Sequence, residues 1–196
     1  MKIVFSGPGS ADSGALVVGV QEGLKLTPSA QALDKRMKGG LKRAFKASTF
    51  KGKKGQSLSV LAPQGTRLDR IIVAGLGRAG EVDGLAMQEL GGCLYAALGN
   101  TGSKTATVSI DALDKVKLTP AEMVVALAEG ARLRSYRFEK YRTRKNGGNN
   151  NDNANKMPTL RSLTFRCKGA GLARAAFRPR DKVAAGVFMT RDLVTE

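Results

Sequence analysis

The stretch that most constrains the fold of this chain runs from residue 69 to residue 99, DRIIVAGLGRAGEVDGLAMQELGGCLYAALG. It opens with an apolar run at residues 71–74, whose β-branched side chains favour a buried strand. The segment GLGRAG at residues 75–80 predicts a turn, because glycine adopts backbone angles that other residues resist. Leucines then recur at helical spacing, at Leu85, Leu90, Leu94 and Leu98. The stretch therefore predicts a strand, a glycine turn and a helix, which form the basic α/β unit.

The rest of the chain repeats this alternation. Apolar and β-branched runs predict strands at residues 2–5, 15–20, 58–61, 105–110 and 160–167. Thr27-Pro28 and Thr119-Pro120 each predict a helix start, with threonine as N-cap and proline as the first helical residue, and Glu122 adds a capping box to the second. Two more helices are predicted, one over residues 41–46 and one from about residue 172 to the end. The order predicts an α/β fold with a substantially parallel sheet layered between helices.

Apolar spacing also predicts which side chains the helices bury. The predicted inward-facing residues are Ala30, Leu33 and Met37, then Leu41, Ala44 and Phe45, then Met123, Leu127, Ala131 and Leu133, and finally Ala184, Val187, Phe188 and Leu193. The two cysteines, Cys93 and Cys167, lie far apart and form no C-x-x-C pair. We expect both to be buried free thiols of a cytoplasmic protein.

Composition excludes several classes of function. The 196 residues include no histidine, which removes every catalytic arrangement and metal site that depends on one. Acidic residues do not cluster at metal-ligand spacing, and we expect no catalytic, cofactor or metal residue in this chain. No apolar run approaches the roughly 20 residues that a membrane span needs, and the apolar N-terminal segment is too short for a signal peptide.

The formal net charge of +17 is concentrated in two regions, residues 35–54 and 132–180. Such patches indicate a polyanionic or acidic partner, although a charged face can also serve only to keep a domain in solution. A nucleic-acid-binding module is one hypothesis for the function. Its candidate phosphate contacts are Lys42, Arg43, Lys46, Arg142, Arg144 and Lys145.

The glycines at residues 75–80 spell G-x-G-x-x-G, the dinucleotide-binding pattern. The acid that should follow about 20 residues later is missing, since residues 95–103 contain none. Glu81 and Asp83 would also discourage an anion there. A structural turn is the preferred interpretation. Lys51 to Gln56 resembles a phosphate-binding loop only superficially, because a strand and not a helix is predicted to follow it.

Residues 144–156, RKNGGNNNDNANK, interrupt the pattern. Asparagine and glycine dominate and nothing apolar is available for burial, so a flexible insertion is predicted before the strand at residues 160–167.

Six segments together resemble the N-terminal domain of the leucyl aminopeptidase (cytosol aminopeptidase) family. They are ALVVGV at 15–20, LDK at 33–35, GKKGQSL at 52–58, DRIIVAGLG at 69–77, YRFEKYRT at 136–143 and AAGVFMTRDLV at 184–194. The likeness spans nearly the whole chain. Its most specific parts are the Y-R-F-x-x-Y-R-T segment and the closing R-D-L-V.

This resemblance implies a macro-domain-like, three-layer α/β/α domain with a mixed, largely parallel sheet over residues 1–171. It implies an interdomain helix at 172–196 that leads to a C-terminal catalytic domain absent from this sequence. In the family that absent domain binds two divalent metals, Zn or Mn, and carries the segment N-T-D-A-E-G-R, so no family catalytic residue maps onto this chain. The resemblance also implies a homo-hexamer, which is the usual assembly of the full-length family, and it raises the possibility of DNA binding, which some bacterial relatives show.

The leading hypothesis is therefore the non-catalytic N-terminal domain of a cytoplasmic metal-dependent leucyl aminopeptidase, with no membrane association. Two alternatives stay open. One is the basic nucleic-acid-binding module, and the other is a macro-type pocket for ADP-ribose or another nucleotide at residues 75–80.

Overall fold

The structure, a computed structural model, describes residues 1–99, 101–138 and 158–195. The strands are β1 (Lys2–Ser6), β2 (Ala15–Gln21), β3 (Lys25–Leu26), β4 (Ser57–Leu61), β5 (Arg70–Gly77), β6 (Thr105–Ser109) and β7 (Ser162–Arg166). The helices are α1 (Pro28–Arg36), α2 (Gly40–Lys46), α3 (Gly84–Gly99), α4 (Pro120–Arg134) and α5 (Ala170–Thr195), with a short 3-10 turn at Ala79–Glu81.

The described strands form one mixed sheet in the order β1-β7-β6-β2-β5-β4, with β3 paired to β2 outside this path. β1, β7, β6, β2 and β5 run parallel to one another, while β4 and β3 are antiparallel to their neighbours. Parallel neighbours need crossover connections, and the helices between the strands supply them. The predicted α/β class and the mixed, largely parallel sheet are both confirmed.

Alternate residues of the central strand β2 enter two separate cores. Leu16 and Val18 pack with α1 and α2 on one face of the sheet, whereas Val17 packs with α3, α4 and α5 on the other. Because successive side chains of a strand point to opposite faces, a strand covered on both sides is apolar at every position. The sequence ALVVGV follows that rule, and it produces the predicted α/β/α layering.

Helices α3 and α4 approach each other backbone to backbone. A Cβ added to Gly91 would overlap the carbonyl oxygen of Leu127, and one added to Gly130 would overlap that of Gln88. Only glycine permits this distance between the helix axes, so these two residues fix how closely the pair packs.

The predicted turn at residues 75–80 begins too early, because β5 continues through Gly77. The Gly75 N–H donates to the Gln56 carbonyl at 2.8 Å, and the Gly77 N–H donates to the Gly52 carbonyl at 3.0 Å. A Cβ at Gly75 would overlap the carbonyl oxygen of Lys53. Glycine serves close approach of a neighbouring segment here, and the pattern alone did not distinguish this from a turn.

Two predictions of burial were wrong in part. Cys167 is buried as expected, but Cys93 is exposed on α3. In α5, Ala184 is buried and Phe188 is half-buried, while Val187 and Leu193 are exposed. Only part of the predicted apolar stripe is therefore buried, and the rest of it is open to solvent.

The two Thr-Pro helix starts behave differently. At α4 the Thr119 hydroxyl accepts a hydrogen bond from the Glu122 N–H, and the Glu122 carboxylate accepts from the Thr119 N–H, so the capping box is confirmed. At α1 Thr27 occupies the N-cap position, but its hydroxyl donates to the Gly19 carbonyl at 3.0 Å and caps nothing. The helices in the described ranges all lack the combined length and apolar character needed to cross a bilayer. The Asn-rich insertion at 144–156 lies outside the described residues.

Candidate functional site

The glycine-rich segment before α3 is already occupied by the chain's own carboxylates. Asp83 Oδ1 accepts the Ala86 N–H at 2.7 Å, and Glu81 Oε2 accepts the Arg78 N–H at 2.8 Å. The Glu81 carboxylate also sits against the Cα of Gly77, where a side chain would otherwise stand. Negative groups therefore hold the amides that an incoming phosphate would need.

The carboxyl ends of β2 and β6 form a second place to look for a ligand. The chain leaves these adjacent strands toward opposite faces, and open α/β sheets bind ligands at such switch points. Here the Ser29 N–H and hydroxyl both donate to the Asp111 carboxylate, each at 2.8 Å, and tie α1 across the opening. The space beneath, lined by Thr27 and Met123 among others, has no room for a water molecule. The crevice is closed by the chain itself.

No metal centre is evident in the part of the chain that the structure describes. Groups of three or more His, Cys, Asp or Glu side chains able to share one ion are absent from those residues.

Three of the six predicted nucleic-acid contacts lie together on α2. Lys42, Arg43 and Lys46 are all exposed, and the Arg43 guanidinium donates to the Lys38 carbonyl at 2.9 Å. No carboxylate in the described ranges forms an ion pair with any of the three. The nearby Asp34 points inward and accepts the Leu41 N–H at 3.0 Å, which caps this short helix. Arg142, Arg144 and Lys145 lie outside the described residues.

The two most distinctive sequence segments meet where the end of α4 contacts α5. The Tyr136 hydroxyl donates to Asp192 Oδ1 at 2.9 Å, and the Arg191 guanidinium carbon stands 4.0 Å from the centre of the Tyr136 ring. Phe188 packs against the same ring with centroids 5.3 Å apart. Loss of hydration, followed by the hydrogen bond to Asp192, raises the pKa of Tyr136 above its ordinary value.

Beyond that contact, α5 exposes a run of large apolar side chains to solvent. Val183, Val187, Met189, Leu193 and Val194 are all between 40% and 83% exposed. A soluble monomer seldom leaves such a group open, because apolar area in water costs free energy. The second half of α5 therefore has the character of an interaction surface.

Sequence reasoning missed one further feature, a groove of about 700 Å³ between the free edge of β1 and helix α5. Arg174, Arg178 and Lys182 line it from α5, and Lys2 and Ile3 line it from the strand. The spacing of four residues between successive α5 cations was the available signal, since it places all three on one helix face.

Comparison with known proteins identifies the lineage of this chain. Residues 17–145 match the N-terminal domain of the cytosol aminopeptidase family. A probable cytosol aminopeptidase of Rhodopseudomonas palustris (strain BisB18) is 34% identical over 183 residues, which is 93% of this chain and 35% of that protein. One from Nitrobacter hamburgensis is 34% identical over 196 residues, covering 100% of this chain and 37% of the relative. The chain thus spans little more than a third of the length of these relatives.

Solved structures agree on the fold. A mutant of tomato leucine aminopeptidase superposes with a TM-score of 0.79 at 24% identity, covering 100% of this chain and 38% of the plant enzyme. The bottromycin maturation enzyme BotP superposes with a TM-score of 0.61 at 20% identity, and the match covers 94% of this chain and 33% of the BotP chain. At such identities the likeness speaks for the fold alone, and the family match rests on the sequence. By that match, this chain belongs to the cytosol aminopeptidase family and corresponds to its N-terminal domain.

Proposed function

We propose that this chain is the non-catalytic N-terminal domain of a metal-dependent leucyl aminopeptidase, with the chemistry carried by a C-terminal domain. The observation that carries the proposal is the family match to an N-terminal domain, over a length that covers 35–37% of the relatives. The lack of histidine and the closed state of the switch-point crevice are consistent with this role.

The proposed domain organisation is a globular unit over residues 1–171 followed by an interdomain helix at 172–196. The first half of α5 is held by the core, since Ala173 and Phe177 are buried. The second half exposes the large apolar side chains Val183, Val187, Met189, Leu193 and Val194. A helix of 26 residues spans about 39 Å, enough to leave one domain and present an apolar face to another. We assign that face to the C-terminal domain.

In the full-length protein we place two divalent metals, Zn or Mn, in the C-terminal domain, where N-terminal amino acids would be released from peptides. A homo-hexameric assembly and a cytoplasmic location complete the proposal. These features rest on what the family resemblance implies and on the names of the relatives, which are cytosol aminopeptidases.

The test is an activity assay on purified residues 1–196 with leucine p-nitroanilide in Mn²⁺ or Zn²⁺. We expect no hydrolysis above the metal-only blank, while the product of the uninterrupted reading frame should hydrolyse it. Metal-dependent hydrolysis by residues 1–196 alone would refute the non-catalytic assignment. A reading frame that continues without the segment N-T-D-A-E-G-R would refute the assignment to this enzyme.

A second candidate function is sequence-independent binding of nucleic acid by α2. The supporting observation is that Lys42, Arg43 and Lys46 are exposed together with no ion-pair partner in the described ranges. Phosphate contacts of this kind weaken steeply with salt. Lys42→Glu combined with Lys46→Glu should abolish binding of a 20-base-pair duplex in 50 mM NaCl. Failure of the unmodified chain to bind that duplex removes this candidate.

A further inference from the structure

β1 is the terminal strand of the described sheet, so one of its edges is free of a strand partner. The Lys2 N–H donates to the Arg161 carbonyl and the Ser6 carbonyl accepts from the Cys167 N–H, so residues 2, 4 and 6 direct their backbone groups toward β7. By the alternation of a parallel ladder, Ile3 and Phe5 direct theirs away from the sheet. Strand β1 therefore presents the N–H and C=O of Ile3 and the N–H of Phe5 to the groove.

The Phe5 carbonyl already has a partner in the groove wall. Arg174 Nη2 donates to it at 2.8 Å, which ties α5 to the end of the strand edge. This contact limits a paired segment to a short one, about three to five residues alongside Ile3. The groove remains open beside that stretch, with a volume of about 700 Å³.

The walls of the groove combine apolar surface with positive charge. Phe177 and Pro179 supply apolar surface from α5. The cations are Lys2, Arg132, Arg174, Arg178 and Lys182. Asp181 is the single carboxylate of the lining, and it is engaged by Arg132 Nε at 2.8 Å. The charges that remain are positive, and Arg178 and Lys182 are exposed at the rim.

We infer that the β1–α5 groove binds an acidic, extended segment of another polypeptide, which adds a strand to the edge of the sheet. Main-chain pairing with Ile3 and Phe5 supplies the register, and acidic side chains on one face of the added strand meet the cations of α5. The inference concerns a surface within this chain and does not depend on the proposed aminopeptidase role.

Charge argues against the other occupants. A second copy of the chain paired through the same edge would bring Lys2, Arg178 and Lys182 against their own equivalents, and like charges repel. A nucleic acid would satisfy the cations but would leave the outward N–H and C=O groups of Ile3 without strand partners. Only an extended polypeptide uses both features of the groove.

The binding probe is a fluorescein-labelled, end-capped pentapeptide of sequence Glu-Val-Glu-Val-Glu, titrated with residues 1–196 in 20 mM NaCl and followed by anisotropy. We expect saturable binding that weakens as salt is raised, and no binding of Lys-Val-Lys-Val-Lys. Arg178→Glu with Lys182→Glu should weaken binding at least tenfold. The matched control, Lys42→Glu with Lys46→Glu, reverses the same amount of charge on the other side of the sheet and should leave binding unchanged.

Backbone pairing is tested separately. Ile3→Pro removes the outward N–H without touching the β1–β7 ladder, and edge strands tolerate proline at such positions. It should weaken binding about tenfold, whereas Ile3→Val should not. The same test can be made on the ligand with two N-methylated versions of the peptide, one methylated on the first set of alternate amides and the other on the second set. Because only one set of amides faces β1, one isomer should lose binding and the other should keep it.

Several results would overturn the inference. These are the absence of binding in 20 mM NaCl, equal binding by the two charge-reversed variants, and undiminished binding by both N-methylated peptides. A dimer in light scattering that Ile3→Pro dissolves would assign the groove to a second copy. Duplex DNA binding that is lost on reversing Arg178 and Lys182, but kept in Ile3→Pro, would assign it to nucleic acid. Thermal unfolding of each variant verifies that the fold is retained.

Discussion

Helix α4 contacts two neighbouring helices, and the two contacts are built from different chemistry. Against α3 it packs backbone to backbone through Gly91 and Gly130. Against α5 it uses long side chains, which form the Arg132–Asp181 and Arg180–Glu129 ion pairs, and Tyr136, just after the last turn of α4, packs on Phe188 with the two rings tilted. The first contact is rigid because atoms fill it completely. The second can be rearranged, because partly exposed charges and ring edges tolerate small shifts.

The two kinds of contact suit two different roles within the domain. The α3–α4 pair belongs to the core that defines the fold. The α4–α5 contact positions a helix whose far half projects apolar side chains into solvent. In the interdomain role that we propose for α5, an attachment that is specific but adjustable would let the helix settle against a second domain. Four substitutions test this division, in descending order of expected effect.

The largest effect is expected from Gly130→Ala. Its Cβ would overlap the backbone carbonyl of Gln88, which cannot move without displacing α3, so we expect a loss of about 3 kcal/mol in the free energy of unfolding. Gly91→Ala should behave alike. The control is the neighbouring Gly92→Ala, whose Cβ would stand 3.7 Å from its nearest neighbour and should stabilise α3 by about 1 kcal/mol. Chemical denaturation of the three variants decides. Equal stabilities for Gly91→Ala and Gly92→Ala would mean that the α3–α4 contact is not rigid.

A smaller and local effect is expected from Phe188→Ala. The ring packs at a tilt against Tyr136, and its centre lies 5.1 Å from the Arg132 guanidinium carbon, so its removal should cost about 1 to 2 kcal/mol. Amide exchange should accelerate at residues 185–195 and stay unchanged in α3. Met189→Ala, at an adjacent exposed position, is the control and should change neither quantity. Faster exchange throughout the domain would show that α5 is part of the rigid core.

A still smaller effect is expected from Asp181→Asn. The Arg132–Asp181 pair is partly exposed, with 25% and 44% of the two side chains accessible, so its loss should cost no more than about 1 kcal/mol. The difference from the unmodified chain should shrink in 1 M NaCl, which screens the pair. Asp114→Asn breaks the more exposed pair with Lys25 and should have no measurable effect. A salt-independent loss at Asp181 would point to packing and not charge.

The smallest effect on stability is expected from Glu122→Gln at the start of α4, the helix that takes part in both contacts. Hydrogen bonds from the Thr119 N–H and hydroxyl lower the pKa of Glu122 below its ordinary value of 4.5. A carboxylate with a depressed pKa stabilises the fold above its unfolded-state value and loses that contribution as the pH falls through the folded-state value. The unmodified chain should therefore exceed Glu122→Gln in stability at pH 7, and the margin should vanish in acid. A margin that is constant with pH would show that the charge contributes nothing.

Local patterns predicted much of this fold because they depend on neighbouring residues. The Thr119–Glu122 box and the two-sided apolar strand ALVVGV needed no knowledge of distant contacts. Thr27 shows the limit of such reasoning. Its flanking residues match those of Thr119 at the Thr-Pro step, yet its hydroxyl turns to the Gly19 carbonyl because β2 happens to pass beneath it. A tertiary partner decided the outcome.

The same limit explains the glycines and the groove. From the sequence alone, Gly75 indicates a turn and Gly130 a weak point in a helix. The structure shows that each glycine makes room for a backbone carbonyl oxygen, that of Lys53 at Gly75 and that of Gln88 at Gly130. The groove joins Lys2 at one end of the chain with Arg178 and Lys182 near the other. No local pattern connects those positions, since only the pairing of β1 with β7 brings them together.

The contrast between the two cysteines has a practical consequence. Burial raises the pKa of Cys167 and shields its sulfur, while Cys93 is exposed on α3. Since the chain contains just these two cysteines, a maleimide dye should attach at a single position without any prior engineering. That position lies on a helix that packs backbone to backbone against α4, so a dye there would give a fixed origin for distance measurements to a second probe placed on α5.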